Sequence, residues 1–64
     1  MRVTLKQVEE AKSKDQARSL AIDWQKQAGL ALYTTGELIE YSYAFAKVAR
    51  RFGLVREFKE NGII

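Results

Sequence analysis

The sequence predicts an all-α protein: an antiparallel two-helix hairpin with short N- and C-terminal helices packed on it, a small three- to four-helix bundle. Two apolar stripes at helical spacing, repeated N-cap signals and the absence of proline indicate this fold class. The chain has 64 residues and a mass of 7.3 kDa, which fits one small helical domain over residues 1–64. A domain of this size buries only about 60 % of the surface of its unfolded chain, so it gains from very regular packing or from association.

The first long stripe predicts a helix over residues 14–28. Its members fall within an arc of about 100° on a helical wheel. They are Ala17, Leu20, Ala21, Trp24 and Ala28. Ser13 is followed three residues later by Gln16, which is a capping-box pattern, and Gly29 follows the predicted end.

The second long stripe predicts a helix over residues 35–52. Its members again share one face, and they are Leu38, Tyr41, Phe45, Val48, Ala49 and Phe52. Thr34 and Glu37 form another capping-box pattern, and Gly53 ends the run. The six-residue connection, 30–35, is typical of neighbouring antiparallel helices.

The N-terminal segment allows two interpretations. Thr4 and Gln7 form a capping-box pattern, followed by apolar residues at helical spacing, which are Leu5, Val8 and Ala11. In one continuous helix this stripe would face away from the stripe that contains Trp24. We therefore predict a short helix over 5–12 and a break near Ser13. The alternative is an extended arm over residues 2–5, where apolar and polar residues alternate.

The C-terminal segment predicts a short last helix over residues 54–60. Leu54 and Phe58 would fold onto the helix pair, and Asn61-Gly62 is a plausible helix end. Ile63 and Ile64 either pack or fray.

Composition excludes several kinds of chemistry. The chain has no cysteine and no histidine, so disulfides, thiolate metal sites and histidine-dependent catalysis are excluded. The four glycines are isolated, so no phosphate-binding loop is present. Neighbouring carboxylates are typical of solvated helix faces. We therefore expect no enzyme activity, catalytic residue, cofactor, metal or small-molecule substrate.

The sequence also predicts a cytoplasmic protein with no membrane partner. The longest apolar run spans residues 28–33, against about 20 residues needed to cross a bilayer. The first five residues lack the apolar core of a signal peptide. Acidic residues on the polar helix faces weaken any attraction to anionic lipid.

Three apolar residues lie off the two stripes and are candidates for a protein contact surface: Ile22, Ile39 and Tyr43. One interpretation is that the terminal segments cover them. The other is that they form a second apolar surface that contacts another chain, because binding of a partner would stabilise a marginally stable domain. A homodimer of two hairpins would form a four-helix bundle.

A basic cluster offers an alternative function in nucleic-acid binding. The net charge is +3 and the pI about 9.5. The cluster consists of Lys47, Arg50, Arg51 and Arg56. Glu37 and Glu40 would place negative charge on the turns where a recognition helix meets DNA, which weighs against this function. Complementation of the helix dipole also explains the basic residues.

These observations favour a non-enzymatic protein–protein interaction or self-associating module over a small basic nucleic-acid-binding regulatory protein. A protein partner or a homo-oligomer is the expected assembly. The expected core anchors are Trp24, Tyr41, Phe45 and Phe52.

The C-terminal string RFGLVREFKENGI, residues 51–63, resembles the tails of small uncharacterised helical proteins of low-GC Gram-positive bacteria and their phages. The strings AIDWQ, residues 21–25, and GEL, residues 36–38, are similar to the same group. The resemblance covers about residues 15–64. It implies a bacterial or phage setting and no known activity.

Overall fold

Four helices, joined by short connections, account for most of the chain. The computed structural model describes residues 2–64. Within them lie α1 (Leu5–Glu9), α2 (Lys14–Gly29), α3 (Thr35–Phe52) and α4 (Val55–Glu60), with no strand. α2 and α3 form the hairpin, and α1 and α4 both pack on α3. The predicted small all-α bundle is therefore confirmed.

The predicted break after the first helix is present, but α1 is shorter than expected. It ends at Glu9, whereas the stripe predicted helix over 5–12. The backbone N–H of Ala11 donates to the carbonyl oxygen of Val8 at 3.2 Å, which forms a turn, and Ser13 is extended. The side chains of Val8 and Ala11 are both buried. A helix that continued from α1 through Ser13 into α2 would point these side chains away from the hairpin.

The N-terminal arm and the short helix, predicted as alternatives, both occur in part. Residues 2–4 precede α1 without helical structure, and Val3 is buried. Its backbone N–H donates to Oε1 of Gln27 at 2.9 Å. Its carbonyl oxygen accepts hydrogen bonds from the hydroxyls of Tyr33 and Tyr41, at 3.0 and 2.9 Å. The arm is therefore attached to α2, α3 and their connection.

The N-caps follow the sequence closely. Two of the three predicted capping boxes close in both directions, Thr4 with Gln7 and Thr34 with Glu37. At α2, the hydroxyl oxygen of Ser13 accepts from the backbone N–H of Gln16 at 3.1 Å. The Gln16 carboxamide oxygen accepts instead from Lys12 N–H, at 2.8 Å, so this box is displaced by one residue.

Three of the helices end in the same left-handed turn. The residue in this turn has a positive φ at Ala31 (58°), Gly53 (71°) and Gly62 (73°). After each, an N–H donates to a carbonyl five residues back, which is the long bond of a Schellman motif. The prediction that Gly29 follows the end of α2 is wrong. Gly29 is the last residue of the helix, and alanine adopts the conformation that glycine usually supplies.

Aromatic side chains fill the space between the helices. Trp24 lies parallel to Tyr41, with ring centroids 6.1 Å apart, and its centroid is 5.2 Å from that of Phe45. Phe45 meets Phe58 edge to face at 6.0 Å. Trp24, Tyr41 and Phe45 are buried as expected, but Phe52 is only partly buried at the margin of the core.

Candidate interaction surface

The three off-stripe residues are exposed to solvent. Exposure is 53 % for Ile22, 53 % for Ile39 and 69 % for Tyr43, so the terminal segments do not cover them. The connection between α2 and α3 exposes two more large apolar residues, Leu30 and Leu32. These two residues are not predicted as contact residues from the sequence, because no helical stripe passes through the connection.

The C-terminal residues 61–64 lie between α2 and α3. Nε2 of Gln25 on α2 donates to the carbonyl oxygen of Asn61 at 2.6 Å. The hydroxyl of Ser42 on α3 donates to the carbonyl oxygen of Ile63 at 3.3 Å, and the Ile63 side chain is buried. The segment therefore packs and does not fray. It leaves one cleft on its α2 side and another on its α3 side.

The cleft on the α2 side has a volume of about 160 Å³, and Ile22, Phe58 and Ile63 contribute apolar lining. Arg18 and Glu57 also line it and form a bidentate ion pair. Nε of Arg18 lies 2.8 Å from Oε2, and Nη2 lies 2.9 Å from Oε1. This pair lowers the pKa of Glu57 and raises the pKa of Arg18. The guanidinium and the carboxylate form hydrogen bonds with each other, and the pair links α2 to α4.

The cleft on the α3 side is larger, about 340 Å³, and more basic. Tyr43 and Arg50 line it from α3, Lys59 from α4, and Ile64 from the C-terminal segment. Tyr43 and Arg50 are candidate contact residues from the sequence, whereas Lys59 and Ile64 are not. Only the packing of α4 and the C-terminal segment on α3 brings these two residues to the same cleft.

The four residues of the predicted basic cluster make different contacts. Arg56 pairs with Glu60 at 3.1 Å within α4. Nη1 of Arg51 lies 3.4 Å from the carbonyl oxygen of Glu9, so this side chain reaches toward α1. Within the described chain, Lys47 and Arg50 form no salt bridge.

The outward face of α3 carries a regular row of residues, which we term the outer stripe. It consists of Ile39, Tyr43, Ala46 and Arg50, at the spacing i, i+4, i+7, i+11. Ala46 is partly buried and the other three are exposed. Glu40 and Lys47 lie together on one flank of this stripe and are exposed. The outer stripe is thus apolar at its start and centre, with one acidic and one basic flanking group.

A second group of charges fixes the N-terminal arm at the other end of α3. Arg2 lies 3.3 Å from the carboxylate of Glu37 and 5.0 Å from the ring centroid of Tyr33. The backbone N–H of Thr34 donates to Glu37 and is the main cause of the lowered pKa of that carboxyl. Burial raises the pKa of Tyr33. These groups serve capping and packing.

Neither a metal site nor a membrane span is found in the part of the chain that the structure describes. No cluster of three or more potential metal-ligating side chains occurs among residues 2–64. None of the helices formed by these residues has the length and apolar character needed to cross a bilayer.

Comparisons with protein-family models, curated proteins and solved structures find no match to this chain. The resemblance of residues 51–63 to small bacterial and phage proteins stays a prediction.

Proposed function

We propose that this protein is a non-enzymatic interaction module that self-associates or docks on a protein partner through its exposed apolar surface. The observation that carries the proposal is the exposure of Ile39 and Tyr43, one turn apart on the outer stripe. Apolar residues exposed singly are ordinary, but adjacent ones on a regular helix face are typical of contact sites.

The energetics of a small domain also support association. A buried isoleucine side chain contributes about 1.5–3 kcal/mol relative to an exposed one. Ile39 gives up much of this contribution in the isolated chain, because half of its surface stays exposed. A partner that covers Ile39 and Tyr43 stabilises the folded chain by mass action.

A second candidate function is nucleic-acid binding on the α3 side. Arg50 and Lys59 line the same cleft as Tyr43, which places two cations beside an exposed aromatic ring. Cations that contact phosphates and aromatic rings that stack on bases are the usual elements of single-strand binding. Glu40, on the flank of the same face, would repel phosphates.

Sedimentation over a concentration series, with and without nucleic acid, tests the proposal. We expect association that Tyr43→Glu weakens and that added nucleic acid does not change. Leu30→Glu is the matched control, since Leu30 is 71 % exposed and lies outside α3. The proposal is wrong if the chain stays monomeric and binds nucleic acid with a steep salt dependence that Arg50→Ala and Arg51→Ala reduce.

A cytoplasmic location in a bacterial or phage setting is part of the same proposal. The lack of cysteine is consistent with a reducing compartment.

A further inference from the structure

We propose that α3 pairs antiparallel with α3 of a second copy of this chain, through the outer stripe. This inference rests on the proposed function and names its partner. The stripe from Ile39 to Arg50 alternates steps of four and three residues, which is the spacing of a two-helix seam. Under a two-fold axis the same face serves both chains.

The flanking charges favour a second copy over an unrelated partner. Glu40 and Lys47 lie on the same flank, two turns apart, on either side of the centre of the stripe. Reversal of direction therefore places Glu40 of one copy beside Lys47 of the other, and the two-fold axis forms this pair twice. Neither side chain has a salt bridge within the described residues, so both are available.

A parallel pairing lacks this complementarity. It would bring Arg50 beside Arg50 of the second copy in the seam, where like charges repel. It would also align the dipoles of the two helices, whereas antiparallel packing opposes them.

Side-chain sizes also match in the antiparallel arrangement. The centre of the stripe falls between Tyr43 and Ala46, so the tyrosine of each copy lies across from the alanine of the other. At the ends of the seam, Ile39 lies across from the aliphatic part of Arg50, which can cover apolar surface and keep its guanidinium in water.

Ile22 distinguishes this inference from the broader proposed function. It is exposed to the same extent as Ile39, 53 %, but it lies on α2, across the C-terminal segment from α3. An interface formed by the outer stripe excludes it. Ile22→Lys is therefore a control with the same residue types and the same starting exposure as Ile39→Lys.

Analytical ultracentrifugation from about 10 µM to 1 mM, a range suited to a small interface, tests the pairing. We expect the wild type to dimerise and Ile39→Lys to raise the dissociation constant at least about 30-fold, because the lysine replaces an apolar contact and faces Arg50 of the second copy. Ile22→Lys should leave the dissociation constant unchanged within about threefold, since that site is outside the contact. Circular dichroism checks that each variant keeps its helices.

Charge reversal tests the orientation. Glu40→Lys and Lys47→Glu should each weaken the dimer about tenfold, because each creates two like-charge pairs. The double variant exchanges the two charges and should recover wild-type affinity within about threefold. A chain that is monomeric to 1 mM overturns the inference. Association that depends on Tyr43 but does not recover in the double variant overturns the antiparallel pairing and leaves the proposed function standing.

Discussion

The guanidinium of Arg18 and the carboxylate of Glu57, 39 residues apart in sequence, form two parallel hydrogen bonds at 2.8 and 2.9 Å between α2 and α4. No other described salt bridge has this two-point geometry. Bidentate pairs fix orientation as well as distance. This pair therefore links α4, which packs on α3, to α2 and helps to fix the C-terminal segment that follows α4.

Replacement of Glu57 by glutamine should lower the thermal midpoint at neutral pH. The pKa of Glu57 is lowered by Arg18, so its contribution is present above the unfolded-state pKa of about 4.3 and is lost as pH falls through the lower folded-state value. The gap between variant and wild type should therefore shrink at acid pH. Thermal melts at neutral and acid pH measure it.

Glu60→Gln is the matched control for this prediction. Glu60 pairs with Arg56 on the surface of α4, where the two side chains are 65 % and 93 % exposed. Exposed pairs of this kind contribute little, so the midpoint should not move. Equal effects at Glu57 and Glu60 would contradict the special role of the Arg18 pair.

Substitution of Ala31 by glycine should increase the free energy of unfolding by about 0.5–1 kcal/mol. Ala31 has φ 58°, a conformation that costs an alanine about 1–2 kcal/mol, and glycine removes this cost. The greater conformational freedom of glycine in the unfolded chain offsets part of the gain. Chemical denaturation measures the change. The reverse substitution at Gly53, φ 71°, should destabilise by about 1 kcal/mol, and equal signs at the two sites would contradict this account.

Loss of the Tyr41 hydroxyl should cost about 1 kcal/mol of stability, as for a buried hydrogen bond. The carbonyl oxygen of Val3 has two tyrosine donors, but the Tyr33 hydroxyl also lies 2.6 Å from Oε1 of Gln27 and has only one proton. Tyr41→Phe therefore weakens the attachment of the arm. Hydrogen exchange at residues 2–9 should accelerate together with the fall in denaturation midpoint.

Tyr43→Phe serves as the control for Tyr41→Phe, since the Tyr43 side chain is 69 % exposed and its hydroxyl has no described partner. Stability measured at low protein concentration should be unchanged. A loss of stability in Tyr43→Phe as large as that in Tyr41→Phe would contradict the role given to the Tyr41 hydroxyl.

Alkaline pH should destabilise the fold through Tyr33. Burial raises the pKa of this hydroxyl, so its contribution is complete below the unfolded-state pKa of about 10 and is lost as pH rises through the higher folded-state value. Tyr33→Phe should flatten this fall relative to the wild type. Thermal midpoints of both proteins, measured below and above about pH 10, test this prediction. An equally steep fall of the midpoint with pH in the wild type and in Tyr33→Phe would contradict it.

The sequence predicted those features that depend on neighbouring residues. The stripe around Trp24 and the caps at Thr4 and Thr34 are local patterns, and the structure confirms them. The left-handed turn at Ala31 was not predictable, because the pattern pointed to glycine. The role of Val3 was missed as well, since its hydrogen-bond partners lie 24 to 38 residues away.

The candidate surface also combines features that local sequence patterns predict with features that only tertiary packing creates. Helical angles placed Ile39 and Tyr43 on the outward face of α3, and both are exposed. Lys59 and Ile64 join Tyr43 at a cleft only through the packing of α4 and the C-terminal segment, which no local pattern encodes. The basic cluster was divided for the same reason, because Arg51 reaches toward α1 and Arg56 pairs within α4.

The central claim is that the outward face of α3 is the contact surface of this protein. Amide chemical shifts of the uniformly labelled chain, recorded across a dilution series, test it most directly. We expect concentration-dependent shifts along α3 around Ile39, Tyr43 and Lys47, with residues around Ile22 unchanged. Shifts that are independent of concentration, or that map to α2 and the connection at Leu30, would contradict it.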